Sequence, residues 1–299
     1  MPPKPPPKPP NKPSMPPAPK SPTAPARTAK TFSVKPWTES GQGKKITLYA
    51  PSGMGKTTLA AMAPNPVFIG VDDGGRMIRN PKTGAPVNAV EGVETFQDIR
   101  DALRQTDLFP PGSTIVIDTI TKVESLAEQY TFDHVKVDKQ TVDSLEAYGW
   151  GKGYRFLMET MRLLLADLDP HVRRGVNVIL LAQQGQATVA NLEGADYLMD
   201  TPKLHLDKKG VGVCAEVCEW SDHILRIGHP AVKVTKSDAK ATKGKVMGTT
   251  DRVIYTQKEL HFVAKSRPID GYNIPALVSF ENQQDDSLWQ YIFHGARAE

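Results

Sequence analysis

Cysteine is scarce in this chain of 299 residues: Cys214 and Cys218 are the only two. That excludes a disulfide framework and fits a reducing cytoplasm. The pair sits four apart on an expected helix, with His223 and His229 following. The spacing matches no standard zinc finger, so two ordinary helix-face cysteines are expected, with a zinc site as the alternative. Long apolar runs are also missing. Stretches such as Val178-Ile179-Leu180-Leu181-Ala182 are strand-sized, so no membrane partner is expected. The N-terminus has prolines and lysines where a signal peptide needs an apolar segment. A strong charge of one sign is lacking as well. Residues 1–30 hold six Lys/Arg and no acid, and setting those six aside turns the formal +4 into −2. The basic character therefore belongs to the tail, which argues against one dominant basic face for duplex DNA but leaves room for a local basic groove.

Proline is concentrated: thirteen of the 26 lie within Met1–Pro25, interleaved with lysine. Such a segment has too little apolar content to fold and is expected to be disordered or polyproline II. It reads either as a solvated tail or as a tether that binds nucleic acid weakly or docks on a partner. The expected division is a disordered tail over 1–35 and a folded domain over 36–299.

The organising stretch is Ile46-Thr47-Leu48-Tyr49-Ala50-Pro51-Ser52-Gly53-Met54-Gly55-Lys56-Thr57-Thr58-Leu59-Ala60. It reads as strand, tight loop and helix start, with the Gly55-Lys56-Thr57 ending of a Walker A phosphate-binding loop. Residues Ala50 to Thr58 would cradle a nucleoside triphosphate, Lys56 reaching its β- and γ-phosphates and the Thr57 hydroxyl holding Mg²⁺. Ala50 stands where the strict motif has its first glycine. Alanine is the smallest possible intrusion there, so the motif is relaxed rather than broken.

Further apolar runs predict the strands of a buried parallel sheet. Pro66–Val71 ends in Asp72-Asp73-Gly74-Gly75, where Asp72, or secondarily Asp73, could act as the base that activates water, or could simply form a turn. Ser113–Asp118 has the form of a Walker B strand, which makes Asp118 a candidate Mg²⁺ partner opposite Thr57. An amphipathic helix is expected over about Phe96–Arg104 and a longer one over about Arg155–Asp167. Between them, Tyr148-Gly149-Trp150-Gly151-Lys152-Gly153-Tyr154 could stack on single-stranded nucleic acid, or its aromatics could pack on the sheet. A strand over Val176–Ala182 ends in Gln183-Gln184, and 185–209 is expected to be a long polar loop of functional kind. Two further strands are expected near Asp222–Ile227 and Arg252–Tyr255, with an exposed lysine-rich segment between them over 233–245. Strand alternation then places Lys265 and Arg267 on one side.

In this order the motifs resemble the RecA-like ATPase core, and more closely the phage nucleotide-binding proteins of the RecA-like single-strand annealing group. The resemblance spans about Lys44 to Ile274. It implies an α/β RecA-like P-loop NTPase core with a mostly parallel central sheet. It also implies Asp72 as the water-activating carboxylate, where the family more often has Glu, and Asp118 as the Walker B acid. Gln183 would be the residue that senses the γ-phosphate, and Lys265 and Arg267 the basic pair that reaches a neighbouring subunit's ATP. The function implied is ATP-dependent action on single-stranded DNA, as annealing or strand exchange in phage recombination, with ATP and Mg²⁺ as cofactors. Self-association into an oligomer, a single-strand-binding protein or other replication partner, and the host cytoplasm follow from the same resemblance. A nucleotide-gated DNA-binding switch with little turnover, or a replication accessory ATPase such as a helicase loader, remains the alternative.

Overall fold

The structure is a computed structural model that describes residues 1, 34, 41–71, 78–191, 194–230, 233–236, 244–247, 250–268 and 273–294. The chain divides between Thr38 and Glu39. The proline-rich tail, Asp72 and Asp73 lie outside the described residues.

From Lys45 onward the order is β1 (Lys45–Ala50), α1 (Lys56–Ala60), β2 (Pro66–Gly70), β3 (Asn88–Ala89), α2 (Phe96–Arg104), β4 (Thr114–Asp118), α3 (Ile120–His134), α4 (Lys152–Arg173), β5 (Asn177–Val189) and β6 (Tyr197–Pro202). There follow α5 (Val213–Trp220), β7 (His223–Gly228), β8 (Lys233–Lys236), β9 (Gly244–Met247), β10 (Val253–Tyr255), β11 (Lys265–Ser266), β12 (Leu277–Ser279) and α6 (Ser287–His294). One sheet runs β12-β10-β7-β1-β5-β4-β2-β3, with β11 against β7 and β6 against β5. Along the path from β7 to β3 every pair is parallel, and the antiparallel pairs of this sheet are β7–β10, β10–β12 and β7–β11 at one edge and β5–β6 in the extension. This is the α/β, mostly parallel, RecA-like P-loop architecture.

A parallel strand needs apolar residues on both faces, and β1 and β5 supply them by simple alternation. Ile46, Leu48, Ala50, Ile179 and Leu181 join Leu59, Phe68 and Trp289 on the face covered by α1 and α6. Tyr49, Val178, Leu180 and Ala182 join the core under α2, α3, α4 and α5. The Trp289 indole is fully buried and donates to the Leu59 carbonyl at 2.8 Å, so α6 fixes the helix that follows the phosphate loop.

Two expectations need correction. The segment after Gln183 is not a long polar loop: β5 continues through it to Val189 and pairs with β6 from Gln184↔Pro202 to Val189↔Tyr197. Its polar residues alternate with Ala187 and Val189 and clothe a hairpin that leaves the sheet, so little of it needs to be apolar. The long helix also exceeds its expected bounds. It starts at Lys152 and runs through Pro170 to Arg173, although a proline there removes one i→i−4 hydrogen bond. The helix is about 33 Å long, and its end lies at the start of β5, where the Val176 N–H donates to His171 O at 3.0 Å. Its first turn therefore lies toward the end of the sheet that carries the phosphate loop.

Candidate functional site

The site is built at the carboxyl ends of β1, β5 and β4. In register, Ala50 stands opposite Gln183, Leu181 opposite Asp118, and Asp118 opposite Gly70. After Ala50 the loop turns sharply. Gly53 and Gly55 take φ of 80° and 92°, the left-handed region that a side chain disfavours. Pro51, Ser52 and Gly53 are exposed, whereas Met54, Gly55, Thr57 and Thr58 are half-buried.

Lys56 is 6 % exposed, and its ammonium donates to Ala50 O at 2.9 Å, Pro51 O at 2.9 Å and Gln183 Oε1 at 3.2 Å. Burial pushes its pKa down, and the Asp118 charge pulls it partly back. A buried cation held only by neutral oxygens is a natural partner for an anion. The exposed loop backbone and Lys56 therefore fit a polyphosphate. Thr57 and the half-buried Asp118 offer the oxygens a hard cation takes.

Gln183 is fixed from two directions, by Lys56 and by its own N–H donating to Thr121 Oγ1 at 3.1 Å. Thr121 lies in the first turn of α3, whose cap, Thr119, follows Asp118 through a cis peptide bond. Val71, the last described residue before Asp72, donates to Asp118 O at 3.2 Å. Lys56, Asp118 and Gln183 thus share one end of the sheet.

Lys265 and Arg267 do not join them. β11 pairs with His223 and Ile224 at the start of β7, so the pair sits at the opposite end of the sheet from the loop. Lys265 donates to Cys218 O at 2.7 Å, and burial followed by Arg267 holds its pKa down. Arg267 pairs with Asp222 at 3.0 Å.

The aromatic loop divides between its two readings. Tyr148 packs inward and donates to Val135 O at 2.7 Å. Trp150 is wholly exposed, at φ 52°, between Gly149 and Gly151, both at φ 70°. Gly153 seats the loop closely: a Cβ there would lie 2.1 Å from Leu145 O. Exposed Lys152 follows Trp150, and the β5–β6 hairpin borders an open groove of about 670 Å³ that includes Gly185, Thr188, Lys203 and Lys208.

Motif reading missed several residues. Arg252 contacts Met54 O at 3.2 Å, and Arg226 pairs with Asp200 at 2.8 Å. Glu124 on α3 accepts from His205 N at 2.8 Å, and burial pushes its carboxyl up to about 7. None of these belongs to a local motif; each acquires its partner only through the fold. Cys214 is buried with its thiol toward Pro202 O, and both cysteines are free. Among the described residues no cluster of His, Cys, Asp or Glu could hold a metal, and no helix is long and apolar enough to cross a membrane.

A family profile described as AAA domain matches residues 42–268. Among solved structures, the RadB recombinase is similar at 14 % identity and TM-score 0.36, covering 69 % of this chain and 86 % of that one. A KaiC-like protein from Pyrococcus horikoshii OT3 is similar at 13 % identity and TM-score 0.35, covering 80 % and 90 %. No curated protein matches.

Proposed function

The chain belongs to the AAA domain family, and from that premise we propose that it is an ATPase acting on single-stranded DNA in phage recombination, by annealing or strand exchange. The observation that carries this reading is the Lys56–Gln183 contact. It joins the phosphate-loop cation to the strand that continues into the β5–β6 hairpin. A phosphate drawing Lys56 toward itself takes away the Gln183 partner, and Gln183 is the root of the hairpin. Nucleotide state and hairpin position are then linked through one side chain.

Mg²⁺, held by Thr57 with Asp118 behind it, would neutralise charge on the β- and γ-phosphates. Lys56 binds and orients the same oxygens, and Asp72 orients the attacking water. Lys265 and Arg267 face away from their own chain's loop, so their role is in an oligomer, where they reach a neighbour's nucleotide and stabilise developing charge. DNA lies across the start of α4, with Trp150 stacking on a base and Lys152, Lys203 and Lys208 following the backbone.

The test is ATP hydrolysis with and without single-stranded DNA at two salt concentrations, beside Lys56→Ala. Stimulation that fades with salt and vanishes in the variant supports the reading. Hydrolysis indifferent to every nucleic acid removes the DNA assignment. ATP-dependent DNA affinity without phosphate release marks a switch instead.

A further inference from the structure

Strand order sorts the site into two flanks. Outward from β1 on one side come β5 and β4, which carry Gln183 and Asp118 at their carboxyl ends. On the other side come β7 and then β10. Because β10 is antiparallel to β7, with Val253 opposite Gly228, it begins at the end of the sheet where the phosphate loop lies. Arg252 is the residue just before it.

Arg252 is held in place. Its Nη1 donates to Met54 O at 3.2 Å, and its guanidinium lies 4.5 Å from the centre of the Phe280 ring. Phe280 is fully buried and donates its N–H to Arg252 O at 2.9 Å. The approach to the loop is close: a Cβ on Gly55 would lie 2.8 Å from Nη1 and 3.0 Å from the Phe280 ring. Among the described residues no carboxylate forms an ion pair with Arg252, which is half-buried. The Phe280 ring lies on one side of the guanidinium, and the half-buried Arg252 keeps an exposed face elsewhere.

Peptide geometry shows what that face can meet. Across a trans peptide the carbonyl and the following N–H point in opposite directions. The Met54 carbonyl points outward to Arg252, so the Gly55 N–H points inward to the phosphate side. Arg252 therefore stands on the outer wall of the loop, beyond the path of the phosphates. With the terminal phosphate and cation on the Gln183–Asp118 flank, as the proposed function has it, the nucleoside leaves the loop on the β7–β10 flank.

We propose that Arg252, backed by Phe280, is the nucleobase shelf of this site, stacking its open face on the purine ring. The inference rests on the nucleotide-binding reading above. A guanidinium is planar and weakly hydrated and stacks well on aromatic faces, whereas an ammonium lacks a plane. Stacking reads the π-face more than the edge, so the shelf favours purine over pyrimidine triphosphates and separates ATP from GTP poorly.

The test compares calorimetric binding of ATP and of inorganic tripolyphosphate to the full chain and to Arg252→Ala, Arg252→Lys and Lys56→Ala. For Arg252→Ala the expected result is an ATP affinity lower by about tenfold, with tripolyphosphate affinity within about twofold of the parent. Arg252→Lys keeps the charge and a donor for Met54 O, and it should not restore ATP affinity. Equal loss for both ligands, no loss for ATP, or full rescue by lysine overturns the shelf. A parent chain that binds neither ligand, or a Lys56→Ala variant that binds both normally, overturns the nucleotide reading instead.

Discussion

Arg226 of β7 and Asp200 of β6 form an ion pair at 2.8 Å in which each side chain is only 14 % exposed. Two rings flank the guanidinium, Tyr255 at 5.6 Å and Phe262 at 4.8 Å. Beside it the Tyr49 hydroxyl donates to Asp200 O at 3.2 Å and to Val263 O at 2.6 Å. Tyr49 is the residue before Ala50, so this buried knot ties the strand that carries the phosphate loop to the hairpin. Arg226→Met would strand the Asp200 carboxylate in the interior, at a cost of about 3–5 kcal/mol. Arg226→Met combined with Asp200→Asn should recover a good part of that. Urea unfolding of the parent, Arg226→Met, Asp200→Asn and the double variant measures the cycle, and an Arg226→Met loss below about 1 kcal/mol would show that water reaches the pair.

Replacing Gln183 with Glu places a carboxylate against the Lys56 ammonium, now 3.2 Å from the amide oxygen. The ion pair holds Lys56 in its present position and repels incoming phosphate. ATP affinity should fall by about tenfold while the thermal midpoint holds or rises. Calorimetry and a melting curve read both quantities. Unchanged affinity would mean that phosphate does not compete for Lys56.

The parallel core was legible because its information is local. Ile115-Val116-Ile117 and Val178-Ile179-Leu180-Leu181 can hardly be anything but buried strands, and Gly55-Lys56-Thr57 carries its chemistry in adjacent residues. The Phe96–Arg104 helix was equally plain, with Thr95 and Asp98 forming a capping box at its start. The hairpin after Gln183 was not legible, since a strand pair outside the core has no need of a continuous apolar run. Arg226, Arg252 and Glu124 were silent for another reason. Their partners lie 26, 198 and 81 residues away, and nothing in the neighbouring sequence announces them.

Glu124 gives the fold a pH dependence of definite sign. Burial is the largest cause of its raised pKa, about 7 against the usual 4.5, with Glu128 adding repulsion and the His205 N–H opposing. In this range the folded chain binds the proton more tightly than the unfolded chain. The contribution is therefore complete below about pH 4.5 and is lost as pH rises toward 7, by at most about 3 kcal/mol. His205 runs the other way, because burial lowers its pKa. Glu124→Gln keeps an acceptor for the His205 N–H and removes the titration. The variant should match the parent near pH 5 and exceed it in stability near pH 8, by denaturant unfolding at both values. A constant difference between the two curves would place the titrating group elsewhere.

Trp150 allows stability and function to be pulled apart. Its side chain is wholly exposed and so contributes little burial, while its backbone sits at φ 52° in a region that non-glycine residues populate at a cost. Trp150→Gly relieves that cost and should leave the protein as stable as the parent or more stable by up to about 1 kcal/mol, since the folded gain is offset by glycine's freer unfolded chain. On the proposed function the same change removes a stacking platform and should weaken single-stranded DNA binding by about 1–3 kcal/mol. Trp150→Phe keeps a stacking face and should retain most of the affinity. Melting curves and fluorescence anisotropy with a labelled oligonucleotide measure the two effects separately. A strained residue retained for a ligand gives affinity that falls while stability does not. If stability falls and DNA affinity holds, Trp150 belongs to the fold, and the start of α4 is not where the DNA strand lies.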